Sequence, residues 1–244
     1  MLKRLLTIAL MVALAASFFP LMSSIRDRAD VGPLAAEYLE DGASDLGAAN
    51  LVTAVVVTYR GLDTLGEVTV LFAAAAGIAL VFQFIRRNRE GDAVGQPMEG
   101  CGWEELPCRI EASEILKTAS GILLPLFLMF GVYIFTHGHL TPGGGFQGGV
   151  VIASAILLAF LAGSIRELRH SMVEILEMLA GAGYVAIGLL GIWLAAGFLD
   201  PRFLPAGEFG ALFSAGAIPV IYSMVGIKVG SELSGVIDVM RRKA

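Results

Sequence analysis

Stretches free of Asp, Glu, Lys and Arg divide the chain. Leu5–Ile25 runs 21 residues without a charge, Val68–Ile85 runs 18, Met178–Leu199 runs 22 and Phe209–Ile227 runs 19. A further run, Thr118–Ile165, is 48 residues long. As one helix rising about 1.5 Å per residue it would overshoot a hydrocarbon core of about 30 Å. Its middle, Thr136–Gly149, holds Pro142 and a cluster of glycines, so the run predicts two helices joined by a turn. The pattern predicts six transmembrane helices, and hence an all-α integral membrane protein.

Composition agrees and narrows the class. Hydrophobic residues make up 56% of the 244 residues and charged residues 16%, where an average globular chain carries roughly 25% charge. Mean hydropathy is +0.76. One soluble core of this size does not hide so much apolar surface. The same figures, with a net charge of −5 and two cysteines, exclude a disordered chain, a disulfide scaffold and a nucleic-acid-binding domain. Thirty glycines with no triplet period suit helices whose backbones approach closely in a membrane.

Lys and Arg set the orientation. With a cytoplasmic N-terminus, the inside carries Lys3, Arg4, Arg86, Arg87, Arg89, Arg109, Lys117, Arg166, Arg169, Arg241, Arg242 and Lys243. The outside keeps Arg26, Arg28, Arg60 and Arg202, and Lys228 falls within the last span. Both termini are therefore predicted to be cytoplasmic. Lys3-Arg4, the apolar stretch behind it and Ala13-Leu14-Ala15 have the outline of a secretory signal. The apolar run continues to Leu21, which favours a retained helix.

Two linkers interrupt the spans. Arg26–Asp63 is acidic and predicted external; its apolar piece Leu51–Tyr59 is too short to span and reads as an interfacial or protein-buried helix. Asn88–Glu114 is polar and predicted cytoplasmic. The organisation is a two-span unit over 1–90, a linker over 91–112 and a four-span unit over 113–244. Cys101 and Cys108 lie in the linker; two thiols do not complete a zinc or iron–sulfur site, and reducing cytosol disfavours a disulfide. They read as free thiols.

Candidate chemistry is sparse. Pro142-Gly143-Gly144-Gly145-Phe146-Gln147-Gly148-Gly149 contains G-x-G-x-x-G, but a dinucleotide site needs a βαβ unit around it. Between apolar helices the run reads as a structural turn. His137 and His139 stand at the end of the third span, without a third metal ligand nearby. They read either as a hydrogen-bonded pair holding the turn or as a proton-transfer or ion-entry pair, since histidine titrates near neutrality. Asp63 and Glu67 share a helix face four residues apart. Thr64 with Glu67 fits a capping box, while a carboxylate at membrane depth also marks an ion path. Lys228 either snorkels to the cytoplasmic interface or pairs with Glu232 one turn on. Glu114, Lys117, Glu174 and Glu177 read as interfacial. No nucleophile–base pair, phosphate loop or complete metal set is present, so a non-catalytic protein without a cofactor is expected.

Two stretches resemble a known family. Thr136–Val150, T-H-G-H-L-T-P-G-G-G-F-Q-G-G-V, with Leu124-Pro125-Leu126 upstream, resembles the MnhB/MrpB subunit of Mrp-type cation/proton antiporters over about residues 110–244. Asn50–Thr58 and Arg60-Gly61-Leu62-Asp63-Thr64-Leu65-Gly66-Glu67 are similar to the C-terminal membrane segment of MrpA, which is a separate MbhE-like subunit in membrane-bound hydrogenases and sulfane reductases. The resemblance implies a cell-membrane subunit in an Mrp-type Na+/H+ antiport module, most simply within a respiratory membrane-bound hydrogenase or a related redox-driven complex. Its expected partners are other antiporter subunits, hydrogenase-like redox subunits, lipid and the transported Na+ and H+. A stand-alone Mrp antiporter subunit and a scaffold without an ion path are the alternatives. The resemblance places Glu67 at an acidic position implicated in coupling. Relatives often carry an acid as the last span begins, where this chain reads Phe213-Ser214-Ala215-Gly216-Ala217-Ile218-Pro219.

Overall fold

In a computed structural model of the chain, described at residues 2–26, 32–92, 112–165 and 168–243, all regular structure is helical. The cysteines and most of the 91–112 linker lie outside the described residues. The chain divides into two compact units, Met1–Asp41 and Gly42–Ala244. In the first, α1 (Leu2–Arg26) carries the apolar stretch Thr7–Pro20, and α2 (Pro33–Glu40) starts on a proline whose missing N–H costs a helix nothing there.

The second unit begins with two short helices, α3 (Gly42–Leu46) and α4 (Leu51–Ala54). Helix α4 runs on as a wider π turn, Val55–Tyr59. Thr53, Ala54 and Val57 on this short apolar piece are buried, so it is a protein-buried helix. Among the described residues, four helices are long and apolar enough to span: within α5 (Gly61–Asp92), α6 (Glu114–Thr136), α8 (His170–Leu194) and α9 (Ile218–Lys243). The shorter apolar α7 (Gly145–Leu161) follows α6 after a break at Thr136, as Pro142 and its glycines require. Pro125 sits inside α6, which membrane helices tolerate when neighbours satisfy the freed backbone.

Helix ends depart from the charge-free runs most at the last two spans. The fifth span starts at His170 rather than Met178 and ends at Leu194. The last starts at Ile218 rather than Phe209 and continues past Lys228. Residues 209–217 form turns, with Gly210, Ala215 and Gly216 in the left-handed region, so no helix passes through them. At the other ends Glu174, Glu177, Lys228, Glu232 and Asp238 are helical. A charge does not stop a helix whose backbone bonds are internal.

Helix α9 is the hub. It packs against α5, α6, α7 and α8, and 56% of its most apolar window is buried, against 6% for α5. Glycines let α7 approach it. A Cβ on Gly145 would lie 2.7 Å from Val225 Cβ, and one on Gly149 2.8 Å from the Gly226 carbonyl oxygen. Any side chain there would push the two helices apart. Large apolar groups such as Trp193 and Phe213 stay exposed, as expected of surfaces that meet lipid or other subunits.

Candidate functional site

The polar residues of the second unit gather at two ends of the helices. At one end, which we term the loop end, the α6–α7 turn is clamped by the residues that start α4. Asn50 Nδ2 donates to the carbonyls of Gly138 and Thr141, each at 2.9 Å, and its backbone N–H donates to the His139 carbonyl. Its Oδ1 accepts from Val52 N–H and so caps α4. Thr53 donates to the Gly138 carbonyl at 2.6 Å and receives the Tyr222 hydroxyl at 3.2 Å. The segment Gly138–Thr141, which leads into Pro142, Gly143 and Gly144 and then into α7 at Gly145, is thereby tied to α4 and, through Tyr222, to α9.

The two histidines do not form a bonded pair. His137 stacks on Tyr133 with ring centroids 4.1 Å apart, and its Nδ1 meets the Tyr133 carbonyl and the Thr136 hydroxyl. His139 is fully buried and points Nε2 at the Ala211 carbonyl, 3.4 Å away. Burial holds its pKa below the usual value near 6.5; the Ala211 carbonyl opposes that shift and His137 adds to it. Nearby, Asp200 accepts from Ala196 N–H and Arg202 N–H and grips the Arg202 guanidinium at 2.6 and 2.9 Å. The Arg202 bond holds the Asp200 carboxyl below the ordinary carboxylate range.

The capping box at Thr64 and Glu67 does not form. Helix α5 begins at Gly61, before the Leu65 start that a Thr64 cap requires, and the buried Thr64 hydroxyl donates to the Val56 carbonyl at 2.8 Å. The π turn offers that carbonyl, so the threonine serves tertiary structure instead. Asp63 pairs with Arg60. Glu67 lies on an exposed face of the α5 span, with no capping role left to explain it.

Lys228 does not snorkel. Its side chain is 9% exposed, and Nζ donates to Glu232 Oε2 at 3.0 Å and Glu177 Oε1 at 3.2 Å. The Phe72 ring stands 5.3 Å from the ammonium. Glu177 is thus a partner of a buried cation rather than an interfacial group; Glu114 and Lys117 pair with each other on the surface at 2.9 Å. Beside the ammonium lies a cavity of about 420 Å³ between α5, α8 and α9. Its polar wall is His170, Glu174, Glu177, Glu232 and Asp238. His170 and Glu174 are exposed and 3.5 Å apart. Asp238 is buried, with Arg241 at 3.7 Å. We term this the cavity end. Sequence reasoning placed Lys228 beside Glu232 but missed the wall. Its legible trace was the i, i+4, i+7 spacing of His170, Glu174 and Glu177, which puts three polar groups on one helix face.

Comparisons with known proteins cover both halves of the chain. Residues 115–235 match the family model described as a domain related to the MnhB subunit of Na+/H+ antiporter, and residues 2–99 match the MbhE model, which describes one of the MBH subunits. A protein of Methanocaldococcus jannaschii is 33% identical over 195 residues, covering 76% of this chain and 74% of its own length. One Na+/H+ antiporter subunit of Bacillus subtilis is 37% identical over 78 residues, 32% of this chain and 54% of its own. The match thus spans about half the length of that antiporter protein. A chain in the structure of the membrane-bound sulfane sulfur reductase, an archaeal respiratory membrane complex, is 41% identical with a TM-score of 0.74, covering 98% of both chains.

Proposed function

The chain belongs to the MnhB-related family, here joined to an MbhE-type unit, and from that premise we propose that it carries part of the cation and proton path in a membrane-bound respiratory complex. It is a multi-pass membrane subunit of an Mrp-type module. One observation carries the proposal beyond membership: buried Lys228 and Glu232, with the partly exposed Glu177, form an ion cluster on two membrane-spanning helices. Charge at membrane depth is costly and marks ion or proton pathways. The kinship to a respiratory complex over nearly the whole chain supports redox subunits as partners. The Lys and Arg distribution supports a cytoplasmic cavity end and an external loop end.

Asp63, Glu67, His137, His139 and Lys228 remain the residues proposed for the path, with unequal support. Lys228 has buried ionic partners. Glu67 is a carboxylate within a span that the described residues leave mostly exposed, which suits contact with a neighbouring subunit. His139 is committed to a carbonyl and His137 to its own helix end, so both support the turn.

Mild solubilisation followed by mass spectrometry tests the assembly. Antiporter-type subunits with redox subunits beside them are expected, and a stable isolated monomer overturns the reading. In vesicles holding the assembled complex, Glu67→Gln should lower dye-reported, cation-driven proton flux several-fold at unchanged abundance by blot. Normal flux in that variant would remove Glu67 from the path.

A further inference from the structure

We propose that Glu177 and Glu232 form a seat for a small alkali cation, that the Lys228 ammonium occupies this seat as a tethered competitor, and that the cavity beside it is the entry. The inference rests on the reading of the chain as an ion-path subunit and names the site. Both carboxylates lie within 3.2 Å of one nitrogen, so they converge on a single cationic position. Glu232 is 2% exposed at its side chain and lines the cavity. Its Oε1 is buried and makes no hydrogen bond. A buried, unbonded carboxylate oxygen is costly, and a cation arriving through the cavity satisfies it. Two carboxylates completed by water are the donor set of a hard, hydrated ion.

Charge balance points the same way. Helix α8 brings Glu177, Glu174 and His170 to the cavity; α9 brings Glu232 and Asp238, with Lys228 and Arg241 as their cations. Helix α5 adds Phe72 and the uncharged Gln83. Among the described residues, four carboxylates thus face this cavity end with Lys228 and Arg241 as the cations paired to them. An alkali cation entering past the exposed Glu174 and His170 meets the open Glu232 Oε1 first and displaces the ammonium from between the two carboxylates by position.

Two measurements on the assembled complex test this. In the unmodified complex, a hydrophobic carbodiimide reacts with membrane carboxyls. Mass spectrometry should show modification of Glu177 or Glu232 at least tenfold slower in sodium chloride than in choline chloride of equal ionic strength. Equal modification in the two salts, including none in either, overturns the seat. Lys228→Arg fills the seat with a rigid fork that can grip both carboxylates at once. In the assembled variant the difference between sodium and choline should vanish, with both carboxyls equally slow to react. Sodium protection as strong as in the unmodified complex overturns the competition. Absence of cation-driven flux in wild-type vesicles defeats the proposed function itself, whereas normal flux with unprotected carboxylates defeats only the seat.

Discussion

At the loop end, Asn50 Nδ2, Thr53 Oγ1 and His139 Nε2 are directed at backbone carbonyls of the α6–α7 turn and of Ala211, and the one unbonded atom among them, the buried His139 Nδ1, carries no formal charge on a neutral ring. At the cavity end, Lys228, Glu177 and Glu232 bond to one another and leave a buried oxygen of Glu232 unbonded. The first arrangement is neutral apart from the Asp200–Arg202 pair, and it immobilises a turn whose glycines sit against α9. The second holds surplus charge beside a cavity. Polar residues that satisfy backbone stabilise the fold, whereas charges that satisfy only one another stay responsive to any ion that reaches them.

Breaking one partner at each end sharpens this contrast. The largest loss is expected for Glu232→Ala, which leaves Lys228 with Glu177 alone. Removing one member of a buried pair costs about 3–5 kcal/mol, so thermal unfolding of the complex in detergent should shift downward markedly. A variant as stable as wild type would show that the cavity end is already well hydrated. Asn50→Ala is expected to cost less, about 2–3 kcal/mol, because it deletes three neutral bonds at roughly 1 kcal/mol each. It should also expose the turn, read as faster hydrogen exchange at Gly138–Thr141 with ion transport otherwise preserved. Unchanged exchange would remove Asn50 as the clamp.

The smallest effect is a pH dependence at the loop end. His139 has its folded pKa below the unfolded value of 6.5, so the unfolded chain binds the extra proton. Its contribution is complete above about pH 6.5 and declines as pH falls through that value towards the folded pKa. Unfolding curves between pH 8 and 5.5 should show wild type losing stability on the acid side, with a shallower loss in His139→Asn. Parallel slopes would mean that His139 keeps the same pKa in both states.

The legible part of the structure followed from local properties. The break near Pro142 and a helix at Leu51–Tyr59 too short to span were readable because apolar length and helix-breaking residues act over a few neighbouring positions; that this helix is buried in protein rather than interfacial came from the fold. Spans bounded by their nearest charges were misplaced at His170 and beyond Lys228 for a specific reason. Those charges are neutralised by partners on another helix, which a run-length criterion treats as water-facing. The Thr64–Glu67 box failed similarly: its spacing is right for a cap, yet a π turn five residues earlier offered Thr64 the carbonyl of Val56.

From residues alone came the all-helical membrane class, the helix–turn–helix at Thr136–Gly149 and the pairing of Lys228 with Glu232 as one possibility. These depend on composition and on separations of one or two helical turns, which the chain encodes directly. Only the folded molecule decided that Lys228 is buried, that Glu177, 51 residues away, completes its shell, and that a cavity opens beside them. Such choices depend on which helix faces meet, and in a membrane that is set by close packing at small residues such as Gly145 and Gly149 rather than by any local pattern of charge.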